Sequence, residues 1–243
     1  MQFFILVLLI CLFVFLYCVY LLANEDFIFL RKDVTMERLF NIIFLGGLIS
    51  LFVSRLFYGL FYAKNILLNP FAFLLFPYFP GLSLLGGVLG AGVTFLFLRA
   101  RRKNPLPLGR MSDFFSIAFL ITLPIGFLGY FMLSEDSFSV IRAGSLVITY
   151  LILFIIFLRF LLPNLLSGKL KEGTISLVFL VSFSLVNLIS NAYPKLNIMD
   201  YFKNLENIIL VVTLITSLAM LVKQENLIPK IRKLQWPLTK INR

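Results

Sequence analysis

Long apolar blocks recur along this chain, set apart by short polar stretches, and none of them alternates with period two. A helix needs roughly 20 mostly apolar residues to cross a hydrocarbon core of about 30 Å. In lipid every backbone N–H and C=O must be paired within its own segment, which favours helices. The lack of dyad alternation argues against a membrane β-barrel. The blocks predict seven spans, over residues 3–23, 39–62, 81–98, 114–133, 143–162, 174–191 and 207–222. Between the second and third spans, residues 70–80 are apolar but short and interrupted by proline. They are expected to form an interfacial or re-entrant lead-in to the third span. The expected fold is all-α and polytopic, with a seven-helix transmembrane domain over 1–222 and a basic tail over 223–243.

Composition agrees with this class. The 243 residues are 60% hydrophobic and 14% charged, with a mean hydropathy of +1.00. The basic residues fall in every second gap. With the N-terminus outside, 17 of the 22 lie at inner loops, the inner end of span five or the tail. Lys64, Arg142, Lys195 and Lys203 fall outside, and Arg55 lies within a span. That split follows the positive-inside rule, so the +11 net charge is mostly topology rather than a nucleic-acid footprint. The tail, with Trp236, is expected along the anionic inner leaflet or as a simple anchor.

The first span has no basic n-region and no A-x-A site, so a permanent helix is expected rather than a signal peptide. Cys11 and Cys18 both lie in it, seven apart, where one helix cannot join them in a disulfide. They are expected as small apolar packers.

The chain has no histidine, which removes the commonest general base, any His-based metal site and any Ser-His or Cys-His nucleophile pair. Neither metal nor other cofactor is expected. The polar residues inside the spans are therefore the informative ones. An arginine at a helix centre costs about 2.5–3.5 kcal/mol on insertion scales, so Arg55 has two readings. It faces a cavity and pairs with an anionic group such as a lipid phosphate, or it snorkels to the nearby headgroups. Ser54 and Tyr58 stand beside it. Span three carries Gly86 and Gly90 in a GxxxG spacing, with Gly87 and Gly92. Close helix packing suits Gly90 and Gly92. A bare backbone open to a ligand is the reading for Gly86 and Gly87. Pro124, Gly126 and Gly129 loosen span four before Glu135 and Asp136. Asn187 and Asn191, one turn apart in span six, suit helix-to-helix bonding.

The order of these features resembles the prolipoprotein diacylglyceryl transferase family. Span two carries Ser54-Arg55 followed by aromatic residues, and Asn69-Pro70 follows it. The third span opens with Gly-Leu-Ser and Gly86-Gly87, a basic run follows at 99–103, and Asp113 opens span four. The family signature Gly-Arg-x-Gly-Asn-Phe-x-Asn-x-Glu falls without gaps on 126–135. Gly173 matches the glycine that opens span six. The family histidine falls on Leu85, the signature arginine on Phe127, its asparagines on Tyr130 and Leu133, and the span-six arginine on Asn187.

The resemblance implies a bacterial inner-membrane protein whose relatives move diacylglycerol from phosphatidylglycerol to the lipobox cysteine of a preprolipoprotein. It implies phospholipid, and with it a preprolipoprotein, as partners. It makes Arg55, Tyr58, Gly86, Gly87 and Glu135 the candidate lipid-binding residues, and assigns no catalytic residue. The family's arginines are held to bind the phosphate headgroup and to stabilise charge as the glycerol–phosphate bond breaks. With Phe127 at the signature position, a relative that binds lipid or lipoprotein without catalysis is the alternative. A transporter or channel would carry more polar residues inside its spans.

Overall fold

Each long apolar block becomes a helix in the computed structural model, which describes residues 2–31, 34–63, 81–100, 107–133, 137–192, 201 and 204–226. Helix α1 (Gln2–Asn24) is followed by a short α2 (Phe27–Arg31) and by α3 (Met36–Phe61). Then come α4 (Leu84–Ala100), α5 (Leu108–Leu133) and α6 (Ser137–Ile156). A π-helical turn (Phe157–Leu161) joins α6 to α7 (Leu162–Leu166), and α8 (Thr174–Ala192) and α9 (Leu205–Glu225) complete the described elements. Among the described residues, six stretches are long and apolar enough to cross a membrane: Ile5–Asn24, Met36–Phe61, Leu108–Met132, Ser139–Leu166, Thr174–Ala192 and Leu205–Glu225. The apolar stretch Leu84–Leu98 is shorter. The chain is thus an all-α polytopic membrane protein. Residues 70–80, most of the 99–103 basic run, Glu135 and the tail beyond 226 lie outside the described residues.

Local chemistry sets the helix ends. Thr35 caps α3 by accepting a hydrogen bond from the Arg38 N–H. Asn204 does the same for α9 through the Glu206 N–H, with Glu206 in the first turn where the helix dipole favours an acid. Asn226 closes α9 in the left-handed conformation. Near the end of the fifth block, Pro163 lacks an N–H, and its ring crowds the carbonyl one turn back. The ladder there widens, and the Leu162 N–H reaches the Phe157 carbonyl.

Helix α5 is the central element. Half of its apolar window is buried, against 6% for α1, and it packs on α1, α6 and α8. Phe114, Ile117 and Leu120 of α5 are fully buried with Tyr150, Phe183 and Leu210 from three other helices. Apolar side chains such as Phe13, Leu48, Met132, Ile148 and Ile189 face outward. That is the distribution for a bundle whose solvent is lipid tails.

Helices α3 and α4 form a hairpin with its own close contact. A methyl on Gly86 would lie 2.8 Å from the Ser54 Cα, and one on Gly90 2.7 Å from the Ser50 Cα. The two backbones approach that closely only because both positions are glycine. Ser50 Oγ donates to the Gly87 carbonyl at 2.6 Å and Ser54 Oγ to the Ser83 carbonyl at 2.7 Å. The same device joins α1 to α5, where a methyl on Gly129 would meet Val7 at 2.6 Å. Cys11 and Cys18 are free thiols, and Cys11 packs near Gly126.

Polar contacts define the two ends of the bundle. At one, Asp26 just after α1 pairs with Arg110 of α5 at 2.6 Å. Asp113 of α5 accepts from the Gly173 N–H at 2.7 Å and the Ser176 N–H at 2.8 Å, seating the start of α8. Glu225, at the end of α9, accepts from Thr174 Oγ1 at 2.6 Å and the Lys171 N–H at 3.1 Å. The other end holds Arg55, and the end of α3 meets the start of α9 there through Tyr62 and Glu206.

Candidate functional site

The Arg55 end gathers the polar residues that the apolar blocks bring together. Arg55 is 2% exposed. One terminal nitrogen donates to the Gly81 carbonyl at 2.7 Å, and the guanidinium carbon lies 5.9 Å from the centre of the Tyr58 ring. Arg55 therefore turns inward to the segment that opens α4, which answers the cost of a cation at that depth. Gly81 is required twice over. Its φ is +149°, and a Cβ would lie 2.2 Å from the Tyr58 ring. Arg55, Tyr58 and Gly81 thus form one interlocked unit between α3 and α4.

Of the other candidates, Gly86 lies against Ser54 and Phe57 in the hairpin seam. Gly87 is in ordinary contact with Ser50, and its carbonyl is taken by that serine. Gly92 has nothing within 4 Å and is exposed. Glu135 falls outside the described residues. So Arg55, Tyr58 and Gly86 share one hairpin, and Gly87 stands one turn from the Ser83 contact.

The Tyr58 and Tyr62 rings sit 5.6 Å apart, and the Tyr62 hydroxyl donates to a Glu206 carboxylate oxygen. Burial and the Glu206 carboxylate push the Tyr62 phenol well above its usual range, while nearby Arg142 pulls the other way. Arg142 of α6 donates from Nε to Ser190 Oγ at 2.8 Å and from a terminal nitrogen to Asn191 Oδ1. Asn191 donates in turn to Asn207, which is fully buried and bonded to the Tyr201 carbonyl. Polar contacts at this end thus tie the segment before α4 to α3, α3 to α9, α9 to α8 and α8 to α6. Sequence reasoning placed Arg142 among the outer loop charges and passed over Tyr62 and Glu206. An arginine on the side that the basic bias disfavours was the signal available.

Deeper in the bundle lies an aromatic stack. Phe127 and Tyr150 are face to face, with centroids 5.7 Å apart and planes 6° from parallel. Asn187 Nδ2 donates to the Tyr150 hydroxyl at 2.9 Å and to the Phe183 carbonyl. Phe127 and Asn187 are the two positions on which the resemblance puts arginines, and they meet through one tyrosine. Leu85, at the histidine position, is 2% exposed and packed in the core. No group of three or more metal-ligating side chains occurs among the described residues.

Comparison with known proteins agrees with this placement. The family described as "Prolipoprotein diacylglyceryl transferase" matches residues 2–138. A phosphatidylglycerol–prolipoprotein diacylglyceryl transferase of Fusobacterium nucleatum is 36% identical over 114 residues. That match spans 44% of this chain and 38% of the relative. With more than half of its residues matched, the chain belongs to the prolipoprotein diacylglyceryl transferase family.

Proposed function

We propose that this protein is a family member that holds phospholipid at its Arg55 end without transferring diacylglycerol. The observation that carries the reading is the Phe127–Tyr150–Asn187 cluster. Charge that develops on a leaving phosphate needs fixed donors aimed at it. In this chain the two expected arginine positions supply a ring and one amide, and the amide is spent on Tyr150 and Phe183.

The chain crosses a bacterial inner membrane seven times in this reading, with the Arg55 end outside. The basic bias supports that orientation. The ends of α1 and α9 lie at the same end of the bundle, beside Arg110 and Thr174, which supports an odd number of crossings. Phosphatidylglycerol, named in the relative's own description, is the proposed ligand, and a preprolipoprotein is the second partner. Arg55 and Tyr58 shape the hairpin wall against which the headgroup rests, with Gly86 and Gly87 keeping that wall thin; Glu135 is the remaining proposed lipid-binding residue.

Active transfer is the second reading, favoured by the 36% identity with a protein named for that reaction. Expression in a strain depleted of its own transferase separates the two. Failure to rescue, with the protein correctly inserted and phosphatidylglycerol retained through purification, supports lipid binding without transfer. Rescue establishes transfer. Absence of retained lipid removes the binding reading.

A further inference from the structure

Arg142 is the second cation of the Arg55 end, and its surroundings differ from those of Arg55. Its Nε and one terminal nitrogen are fixed by neutral acceptors, Ser190 Oγ and Asn191 Oδ1, both at the last turn of α8. The ion pair found among the described residues is Arg110–Asp26, so no described carboxylate lies within ion-pair distance of Arg142. Glu206, the nearby acid, has an oxygen engaged by the Tyr62 hydroxyl. Arg142 is half-buried, five residues into α6, so it stands about 8 Å from the helix start. A guanidinium presents five N–H donors in a planar fork. Two directions are used to orient it, and the remaining terminal nitrogen points the rest of the fork elsewhere. An oriented fork of this kind matches phosphate oxygens two at a time.

Its position relative to the aromatic stack gives the inference its content. Tyr150 and Arg142 both face α8, and Tyr150 lies eight residues further along α6, about 12 Å deeper. On α8 the partners are Asn187 for Tyr150, and Ser190 and Asn191 for Arg142. The same α6–α8 seam therefore carries no charge at the depth of Phe127 and Asn187, and a fixed charge nearer its mouth.

We propose that Arg142 is a phosphate-binding residue of this chain, holding the phosphodiester of an anionic lipid at the mouth of the α6–α8 seam. Ser190 and Asn191 are its positioning residues. This rests on the lipid-binding reading and moves the grip from the buried level to the interface.

The test uses the full chain, delipidated in a neutral detergent and titrated with phosphatidylglycerol, phosphatidylcholine or inorganic phosphate. Arg142→Gln is expected to weaken phosphatidylglycerol binding about tenfold or more, and Arg142→Lys less, since it keeps the charge but loses the fork. Ser190→Ala, which keeps the charge and loosens its anchor, is expected to weaken binding about threefold. It also serves as the deciding variant if Arg142→Gln fails to fold. Wild-type affinity in Arg142→Gln, or in Ser190→Ala where it alone folds, overturns the assignment of Arg142 and leaves lipid binding standing. Inorganic phosphate binding as tightly as the lipid overturns the lipid source. No binding of any lipid by the wild type removes both proposals.

Discussion

Asn187 donates to the Tyr150 hydroxyl at 2.9 Å, and the Tyr150 ring lies flat on Phe127. Three helices meet at that pair, so it fixes both the bundle and the chemistry the bundle lacks. Tyr150→Phe keeps the stack and removes one partner of Asn187, whose second bond, to Phe183, remains. The expected loss is small, about 0.6 kcal/mol, the average for such contacts in membranes. Phe127→Ala removes a stacked ring and is expected to cost more, though less than the about 3–5 kcal/mol of a fully buried phenylalanine. Thermal midpoints in detergent order the two variants, and the reverse order contradicts the packing described.

The α3–α4 hairpin makes a sharper prediction. Gly86→Ala and Gly90→Ala each push a methyl against the opposing backbone, and are expected to destabilise by about 1–3 kcal/mol. Gly92→Ala meets nothing within 4 Å and is expected to be silent. Equal effects at Gly90 and Gly92 in a thermal-shift series exclude the hairpin seam as drawn.

Asp26 and Arg110 form a buried ion pair at the opposite end of the bundle. Removing either partner leaves a buried charge, at a cost of about 3–5 kcal/mol, whereas replacing both with apolar residues is expected to cost far less. Expression and melting of Asp26→Leu, Arg110→Leu and the double variant measure this. A double variant no better than the worse single one shows that the pair is not coupled.

The Tyr62–Glu206 bond is expected to be insensitive to moderate alkali. The phenol is raised by burial and by Glu206. A raised group contributes its full stability below its unfolded pKa, about 10 for tyrosine, and loses it only as pH passes the folded value. The difference in melting temperature between wild type and Tyr62→Phe is therefore expected to be equal at about pH 7 and about pH 9.5. A difference that vanishes by the higher pH shows that the hydroxyl ionises early.

Much of this architecture was legible in the run lengths of apolar residues, because lipid leaves the backbone few alternatives to a helix. The boundaries were less so. Span four was expected from Phe114, yet the helix starts at Leu108. Span five was expected from Ala143, yet it starts at Ser137. In both, polar residues that look like loop turn out to be helical, since Arg110, Asp113 and Arg142 find partners on or beside other helices. Those partners lie 48 to 84 residues away in sequence, beyond the reach of any local pattern. The expected start at Gly81 likewise becomes Leu84, because the Gly81 carbonyl goes to Arg55 and the Ser83 N–H to the Ser54 carbonyl across the hairpin. The π-helical turn before Pro163 left no apolar signature, only the proline itself.

The candidate site followed the same division. Arg55 stood out because a cation inside an apolar block is costly. Arg142 did not, because six residues into a helix it resembles a loop charge until Ser190 and Asn191 are seen around it. Gly86 was expected as a bare backbone open to a ligand, and the structure instead sets it against Ser54 in the hairpin seam, while Gly92, expected to pack, meets nothing within 4 Å.

Transfer itself is the most direct test of lipid binding without catalysis. The purified protein is incubated with radiolabelled phosphatidylglycerol and a lipobox peptide, and the thioether product is measured beside the lipid that remains bound. The account predicts bound phosphatidylglycerol and no product above the protein-free rate. Product formed by the wild type and lost in Arg55→Ala contradicts it.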